Sequence, residues 1–265
     1  MIRCLPYEPV PDDQVIWHYT DFSKFFGMLE SKQLHFTTAL ELRKKEPYEL
    51  RVPVSRVASA IAETTLQLDS IADLEPDVRA RILADVADDT KQLHHFAVSC
   101  WHRSEVESYA MWKAFTNGND GIAIKTTVGR LKRALQTSHD QLFHDGNVRY
   151  IDYNREDFQP NGYSSGFEHL FHKARFYEHE REYRLVIGLK LPVGKAFASY
   201  EEMLADPIAD GSRRVNLDIA ELIEGIVACP YAAGWFKPTV EAYLKRSYPT
   251  INVTHSAVST YPSIV

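Results

Sequence analysis

The amino-acid sequence predicts an α+β fold, and three observations support this. Segments with the period of a strand and segments with the period of a helix follow one another without regular alternation. Neither a GxGxxG fingerprint nor a GxxxxGK[ST] loop is present, so neither a Rossmann fold nor a P-loop fold is indicated. The chain has 265 residues, 45% of them hydrophobic, which is enough for a sizeable core. We interpret residues 1–265 as a single domain.

The first predicted elements are a strand, a helix and a second strand. VIWHYT (15–20) and QLHFTTAL (33–40) have the composition of short strands. Asp21 can cap the helix between them, whose apolar stripe consists of Phe22, Phe25, Phe26 and Leu29. Residues 55–92 have helical spacing and contain no glycine, which predicts a two-helix insertion.

The second half of the chain is predicted to mix strands and helices. FAVSCW (96–101) is a strand, and Ser104 with Glu107 predicts a capping box before the helix YAMWKAF (109–115). Further strands are predicted at 121–126, 148–153, 183–189, 224–230 and 251–258, and further helices at 127–136, 163–177, 216–224 and 235–247.

Composition excludes several classes of protein. The net charge of −6 argues against nucleic-acid binding by bulk charge, although a local basic groove stays open. The odd number of cysteines, three, and their wide spacing argue against a disulfide scaffold or a zinc knuckle. We find neither a signal peptide nor an apolar run of the roughly 20 residues that a membrane span needs. We expect a cytoplasmic protein without a membrane partner.

The stretch YEHEREYRLVI (177–187) is the strongest candidate site. If it is extended, Glu180, Glu182 and Arg184 point to the same side. Two carboxylates on one side repel each other, so one of them is expected to have a raised pKa, and Arg184 can hold the pair. One interpretation is an exposed edge strand protected by charges. The other is a catalytic carboxylate pair at the mouth of a cleft.

Such a pair suits the cleavage of a glycosidic bond. One carboxylate can accept a hydrogen bond from the 2-hydroxyl of the sugar and stabilise the oxocarbenium-like transition state. The second carboxylate can take the proton from the attacking nucleophile. The two glutamates, 180 and 182, could divide these roles.

Two other stretches could complete this site. In IWHYT, His18 shares a side of its strand with Ile16 and Thr20, and it could donate to a ribose hydroxyl or a phosphate, or be a core histidine. In ESYAMWKAF, the aromatic residues at helical spacing are more typical of a core than of a base-stacking surface. Ser108 and Tyr109, near the start of that helix, are better placed to reach a ligand.

The ordered set of these stretches resembles a bacterial family of unknown function that is often found near phage-defence genes. The matching pieces are WHYT (17–20), LHFTTALELRKKEPYE (34–49), VSCWHRSEVESYAMWKAF (98–115), GIAIK (121–125), VRYIDY (148–153) and KARFYEHEREYRLVI (173–187). That family is similar to ADP-ribosyltransferases. The resemblance implies a split, mixed or antiparallel sheet with flanking helices and NAD bound in a cleft.

The resemblance also implies roles for residues. Glu182 or Glu180 would be catalytic, and NAD, the substrate, would be bound by His18, Tyr19, Thr20, Ser108, Tyr109 and Arg184. ADP-ribose would pass to a macromolecular acceptor, protein or nucleic acid, as in a toxin or an antiphage effector with an antitoxin or defence-system partner. The chain departs from the family pattern at two points. Its first site position is His18 instead of the commoner arginine, and Lys45-Glu46-Pro47-Tyr48-Glu49 replaces an Asn-Asp-Pro-x-Glu turn.

Two further hypotheses come from other classes of function. Asp152 and the glutamates at 178–182 could bind magnesium in a metal-dependent nuclease. Alternatively, the chain could be a non-catalytic module that senses a nucleotide or docks a partner. His94, His95, Cys100 and His102 lie close together in sequence, but their spacing fits no standard zinc site, so we predict no metal ligands.

Overall fold

The structure is a computed structural model that describes residues 2–4, 9–88, 96–136, 143–154, 168–189 and 213–259. His94, His95 and the predicted helical residues 89–92 and 163–167 lie outside these ranges. The strands are β1 Ile2–Cys4, β2 Val15–Asp21, β3 Gln33–His35, β4 Thr37–Thr38, β5 Phe96–Arg103, β6 Gly121–Thr127, β7 Phe143–Asn147, β8 Arg149–Ile151, β9 His172–Ala174, β10 Glu182–Gly188, β11 Arg214–Asn216, β12 Gly225–Ala228 and β13 Asn252–His255. The helices are α1 Phe22–Ser31, α2 Ala39–Lys45, α3 Val54–Asp69, α4 Pro76–Ala87, α5 Tyr109–Phe115, α6 Val128–Ala134, α7 Ile219–Leu222 and α8 Phe236–Ser247, with 3₁₀ turns at Glu168–Phe171, Arg175–Glu180 and Ala257–Ser259.

Nine of the described strands form one mixed sheet. Eight of them have the order β1-β7-β10-β5-β2-β6-β12-β13, and β4 pairs with β5 beside this path. The central pairings are antiparallel, whereas β1 with β7 and β12 with β13 are parallel pairs at the two edges. The predicted α+β class with a mixed sheet and flanking helices is confirmed.

The sheet forks along one edge of β5. At one end of this strand, His102 and Arg103 pair with β2, and at the other end Ala97 and Val98 pair with β4. Between the two pairings, Nδ1 of His18 lies 3.2 Å from the carbonyl oxygen of Cys100. The predicted split of the sheet is therefore confirmed.

The two faces of the sheet are covered differently. One face carries the largest core cluster, to which α1, α6 and α8 contribute Phe25, Leu131 and Val240. On the other face, α5 contributes Met111 and Trp112 to a smaller cluster. A third cluster on that face lies around β10 and β5 and contains Leu50, Val98, Phe171 and Val186. The carboxylates described below lie on this second face.

The predicted insertion is present as α3 and α4. These helices contact each other, and α4 has no fully buried residue. Among the helices that the structure describes, none is both long enough and apolar enough to cross a bilayer.

Several local predictions were wrong, because side chains bond to other partners. Asp21 stands at the N-cap of α1, but its carboxylate accepts from Asn117. Ser108, not Ser104, caps α5, and Glu107 instead accepts from Trp112 Nε1. The strand predicted at 33–40 is interrupted after His35 and ends where the Thr38 hydroxyl caps α2.

The helix predicted at 163–177 is also wrong within the described residues. The chain forms a 3₁₀ turn at Glu168–Phe171, then β9, then a second 3₁₀ turn at Arg175–Glu180. Leu170 and Phe171 pack into the third core cluster, while β9 pairs in parallel with β8. Pairing with a distant strand therefore overrides the helical spacing.

Candidate active site

Glu182 begins β10 and is the centre of a buried group of charges. Its side chain is 4% exposed. Arg184 lies two residues further along the same strand, so both side chains emerge on one face. The Arg184 guanidinium donates to Glu182 Oε2 through Nε at 3.1 Å and through Nη2 at 2.6 Å. The predicted contact of Arg184 with Glu182 is confirmed, but the second carboxylate that this arginine bonds is Glu49 instead of the predicted Glu180.

Lys173, on β9, connects the rest of the group. Its Nζ lies 2.6 Å from Glu180 Oε2 and 2.9 Å from Glu182 Oε1. The same ammonium lies 3.1 Å from carboxylate oxygens of both Glu46 and Glu49, which follow α2. Lys173 is buried, and so are all these glutamates except Glu46. One ammonium therefore gathers four carboxylates from two separate stretches of the chain.

Glu180 belongs to this group, but the backbone around it is not the extended strand that the sequence predicted. Glu180 ends the 3₁₀ turn Arg175–Glu180, and Arg181 then adopts a left-handed conformation with φ 43°. Residues 178–187 are thus not one extended strand, because the backbone reverses just before β10. The predicted meeting of the carboxylates of Glu180 and Glu182 nevertheless occurs, since Lys173 Nζ bonds to both.

The surroundings shift the pKa values of the two glutamates in opposite directions. Burial opposes ionisation of Glu182, but Arg184 and Lys173 outweigh burial and hold the pKa of Glu182 well below its usual range. Burial, together with the hydrogen bond to Glu182, raises the pKa of Glu180 to about 8. Glu182 is therefore ionised at neutral pH, whereas Glu180 can hold a proton there.

A cleft of about 900 Å³ lies at the end of the sheet where β5 ends and β10 begins. Its lining includes Arg103, Tyr150, His179 and Arg181. Neither Glu180 nor Glu182 lines this cleft, and Tyr150 contacts the backbone of Glu182, whose N–H donates a 2.8 Å hydrogen bond to the Tyr150 hydroxyl. A cleft of this volume is in the range of small-molecule sites.

His18 and Thr20 lie on the opposite face of the sheet from Glu182. His102 is directly opposite Glu182 in β5, and Trp17 is directly opposite His102 in β2, so these three share a face and His18 does not. The His18 ring packs 4.9 Å from the ring of Trp101, and burial lowers its pKa. The structure does not bring His18 or Thr20 to the carboxylates, and their role in binding stays a prediction.

Tyr19 and Ser108 lie together on the same face of the sheet as Glu182. Tyr19 is on β2, which β5 separates from β10. The Tyr19 hydroxyl accepts a 2.7 Å hydrogen bond from the backbone N–H of Ser108. The rings of Tyr19 and His102 are 6.2 Å apart, and His102 Nδ1 donates to the carbonyl oxygen of Glu180 at 2.6 Å. His102 therefore connects Tyr19 to the backbone of Glu180.

Tyr109 is separate from this group. Its side chain is 54% exposed, and the ammonium of Lys113 lies 5.7 Å from its ring centre. Of the three aromatic residues at helical spacing in α5, only Trp112 is buried. A role of Tyr109 in binding NAD stays a prediction.

Three residues of the charged group are Lys173, Glu46 and Glu49, and none of them was predicted as a site residue, although Glu46 occupies the place of the aspartate in the family turn. A signal was available, because all three fall within the stretches on which the family resemblance rests. Sequence spacing alone could not find them. Lys173 lies on a strand of only three residues, and Glu46 and Glu49 are far from it in the sequence. Within the described residues, no group of three or more His, Cys, Asp and Glu side chains is arranged to hold a metal ion.

The chain is similar to known proteins at the level of the fold and over part of its sequence. A solved structure titled "Thermus sp. 2.9 DarT in complex with NAD+" aligns with 93% of this chain and 98% of its own, with 10% sequence identity and a TM-score of 0.35. No curated protein matches the chain. Residues 111–185 match the model of a family described as "Protein of unknown function (DUF2971)", and this stretch contains Lys173, Glu180, Glu182 and Arg184. The resemblance to a family of unknown function is confirmed over these residues.

Proposed function

We propose that the protein cleaves the nicotinamide–ribose bond of NAD and transfers ADP-ribose to a macromolecular acceptor. The observation that supports this most is the pair of glutamates at Lys173, one with a lowered and one with a raised pKa. Neighbouring carboxylates with separated pKa values divide the roles of an anion and of a proton carrier. The family resemblance, which implies NAD as the substrate, supports the choice of bond.

Glu182 would be the carboxylate that is ionised at neutral pH. Lys173 and Arg184 hold its two oxygens in place, so little reorganisation is needed as positive charge develops on the ribose. Oε1 keeps a lone pair beside the one used by Lys173, and that lone pair can accept a hydrogen bond from the 2-hydroxyl of the ribose. This contact strengthens in the transition state and lowers the barrier.

Glu180 would be the general base. The bond from ribose C1 to nicotinamide breaks, and the bonding electrons leave with nicotinamide. An acceptor hydroxyl or amine then forms the new bond to C1 and gives its proton to the Glu180 carboxylate. A base whose pKa is about 8 is matched to this task near neutral pH. Such an activity suits a toxin or an antiphage effector that is held in check by an antitoxin or another defence-system partner.

A non-catalytic module that senses a nucleotide is the second candidate. Both oxygens of Glu182 are already bonded to Lys173 or Arg184, and the side chain is buried. A buried ion network of this kind can serve the specificity of folding alone. On this hypothesis the chain binds a nucleotide and leaves it intact.

Incubation with NAD labelled in the adenylate part, beside NAD labelled in nicotinamide, tests the two candidates. The adenylate label measures the transfer of ADP-ribose to macromolecules of a cell lysate. The nicotinamide label measures the release of free nicotinamide. We expect the parent protein to give both signals and Glu182→Gln to lose them. Glu180→Gln should keep nicotinamide release and lose most of the transfer, because only the base is removed. Glu224→Gln is the matched control, since Glu224 is exposed and pairs with Lys125 of β6, three strands away from β10.

Thermal unfolding of each variant shows whether it is folded. Glu180→Gln has the same shape as the protonated glutamate, so it should fold even if Glu182→Gln does not. NAD that is bound and not cleaved by the parent protein would favour the sensor. Equal transfer by the parent protein and Glu182→Gln would refute the catalytic role of Glu182.

A further inference from the structure

The cleft beside Tyr150 contains two arginines that the charged group does not use. Arg103 is the last residue of β5, and Arg181 directly precedes β10. The backbone N–H of Arg103 donates a 2.9 Å hydrogen bond to the carbonyl oxygen of Arg181, which keeps the two residues side by side. His179 also lines the cleft. Three basic side chains therefore border one cavity of about 900 Å³.

Neither arginine is neutralised by a neighbouring acid. Over the described part of the chain, no carboxylate lies within ion-pair distance of the guanidinium of Arg103 or Arg181, whereas Arg184 is paired with two glutamates. Arg103 is half-buried, and its Nε is buried without a hydrogen-bond partner. An anion that reached this half-buried guanidinium would supply the counter-charge and the missing hydrogen-bond partner.

Arg181 ends the 3₁₀ turn Arg175–Glu180 with φ 43°, as Lys32 ends α1 with φ 50°. Helical turns commonly end in this left-handed conformation. It places Arg181 at the rim of the cleft, where its side chain is exposed.

We propose that this cleft binds the diphosphate group of a nucleotide, with Arg103 and Arg181 each contacting one phosphoryl group. Two adjacent guanidinium groups match two adjacent phosphoryl groups, and each can bind its phosphate through two parallel hydrogen bonds. The inference rests on the proposed function only in naming NAD as that nucleotide. The position of Tyr150 would then place the ribose next to the diphosphate near the backbone of Glu182.

Two acidic residues, Glu105 and Glu178, also line the cleft. Both side chains are exposed and remain hydrated, while Arg103 is more buried than either. Their charge weakens the binding of a bare phosphate ion at the rim. A diphosphate can contact both arginines at once, whereas a monophosphate can contact one, so we expect the diphosphate to bind more tightly.

Titration calorimetry with ADP, AMP, adenosine and inorganic pyrophosphate tests the site without any turnover. We expect ADP to bind, AMP to bind more weakly and adenosine to show no measurable binding. Arg181→Gln should weaken ADP binding about ten-fold or more. Arg103→Gln should do the same if it folds, and Arg181→Gln keeps the test valid if it does not. Arg133→Gln is the control, because Arg133 pairs with Glu221 away from the cleft.

Two results would overturn the proposal. One is the absence of ADP binding to the parent protein, and the other is equal binding by the parent protein and Arg181→Gln. Pyrophosphate that binds without ADP would also overturn it, since the cleft would then not accept a nucleotide. ADP binding that depends on Arg181, without cleavage of NAD, would refute the proposed function and leave this site standing. NAD cleavage that is unchanged in Arg181→Gln would refute the site and leave the function standing.

Discussion

Arg184 donates a 2.6 Å hydrogen bond to Glu49, which lies 135 residues earlier in the chain. The same guanidinium bonds to Glu182 and to the carbonyl oxygen of Leu170 at 2.7 Å. No part of Arg184 is exposed. One buried arginine thus joins the segment after α2, the 3₁₀ turn before β9 and the start of β10.

Replacing this arginine should be strongly destabilising. Arg184→Met leaves Glu49 and Glu182 buried without their main counter-charge, so we expect a loss of about 3–5 kcal/mol in the free energy of unfolding. Arg184→Lys should recover only part of this loss, because an ammonium cannot make the paired contact to Glu182. Urea denaturation measures both changes. Arg133→Met, which breaks the exposed pair with Glu221, should stay within about 1 kcal/mol, and an equal effect of the two Met variants would contradict the role of burial.

Glu180 should make the protein less stable as the pH rises. Its pKa is about 8 in the folded protein against an ordinary value of 4.5, so between these pH values the folded state binds more protons than the unfolded state. Stability from this group is therefore present at low pH and is lost as the pH rises through 8. Urea midpoints between about pH 6.5 and 8.5 should fall for the parent protein and stay nearly level for Glu180→Gln.

The buried histidines His102 and His172 do not change their charge between these pH values. Burial lowers the pKa of His102 and of His172, so their contributions change below the ordinary histidine value of 6.5. The lowered pKa of Glu182 similarly concerns only acid pH, where its contribution is lost as the carboxylate becomes protonated. A parallel fall of the midpoints in the parent protein and Glu180→Gln would show that another group is responsible.

The Tyr19 hydroxyl should hold the loop between β5 and α5. Tyr19→Phe removes the acceptor of the 2.7 Å hydrogen bond from the Ser108 N–H, at the N-cap of α5. We expect a loss of about 1–2 kcal/mol and faster hydrogen exchange of the Ser108 amide. Tyr243→Phe is the comparison, because that hydroxyl bonds to the exposed Glu30. Unchanged exchange at Ser108 in Tyr19→Phe would contradict the assignment of this bond.

Glu107 should tie α5 to the last described turn of the chain. Its carboxylate accepts from Trp112 Nε1 at 2.9 Å, from the Ser256 hydroxyl at 2.5 Å and from the Ala257 N–H. Glu107→Ala leaves these donors without an acceptor, so we expect a loss of about 1–3 kcal/mol and faster proteolysis after β13. Glu63→Ala, at an exposed position of α3, should change neither quantity. Resistance of Glu107→Ala to proteolysis would count against this connection.

The sequence predicted most core elements because their apolar spacing is unambiguous. The alternation around Ile122 and Ile124 and the stripe around Phe25 are both buried as expected. Strand β7 was missed because its residues FHDGN have the composition of a turn. The burial of Asp145 there is compensated by Lys132, which lies 3.0 Å away, and by the Tyr183 hydroxyl, which donates to it at 2.8 Å. Such tertiary contacts cannot be seen in the local sequence.

The candidate site was predicted in part for a related reason. The contact of Glu182 with Arg184 follows from strand alternation, which depends on neighbouring residues alone. Two features do not depend on neighbours: the left-handed turn at Arg181, and the ammonium of Lys173 between Glu180 and Glu182. Alternating glutamates favour a continuous strand, and no local pattern in EHERE reveals that the backbone reverses.

The edge strands β1 and β13 cover the neighbouring strands β7 and β12. Removing residues 2–4 or 252–255 would expose a row of unpaired amide and carbonyl groups, which can recruit strands from other molecules. A shortened chain could thus keep every charged residue discussed above and still be lost to self-association. Light scattering should show aggregates for either truncation, and monodisperse truncated protein would contradict this protective role of the outer strands.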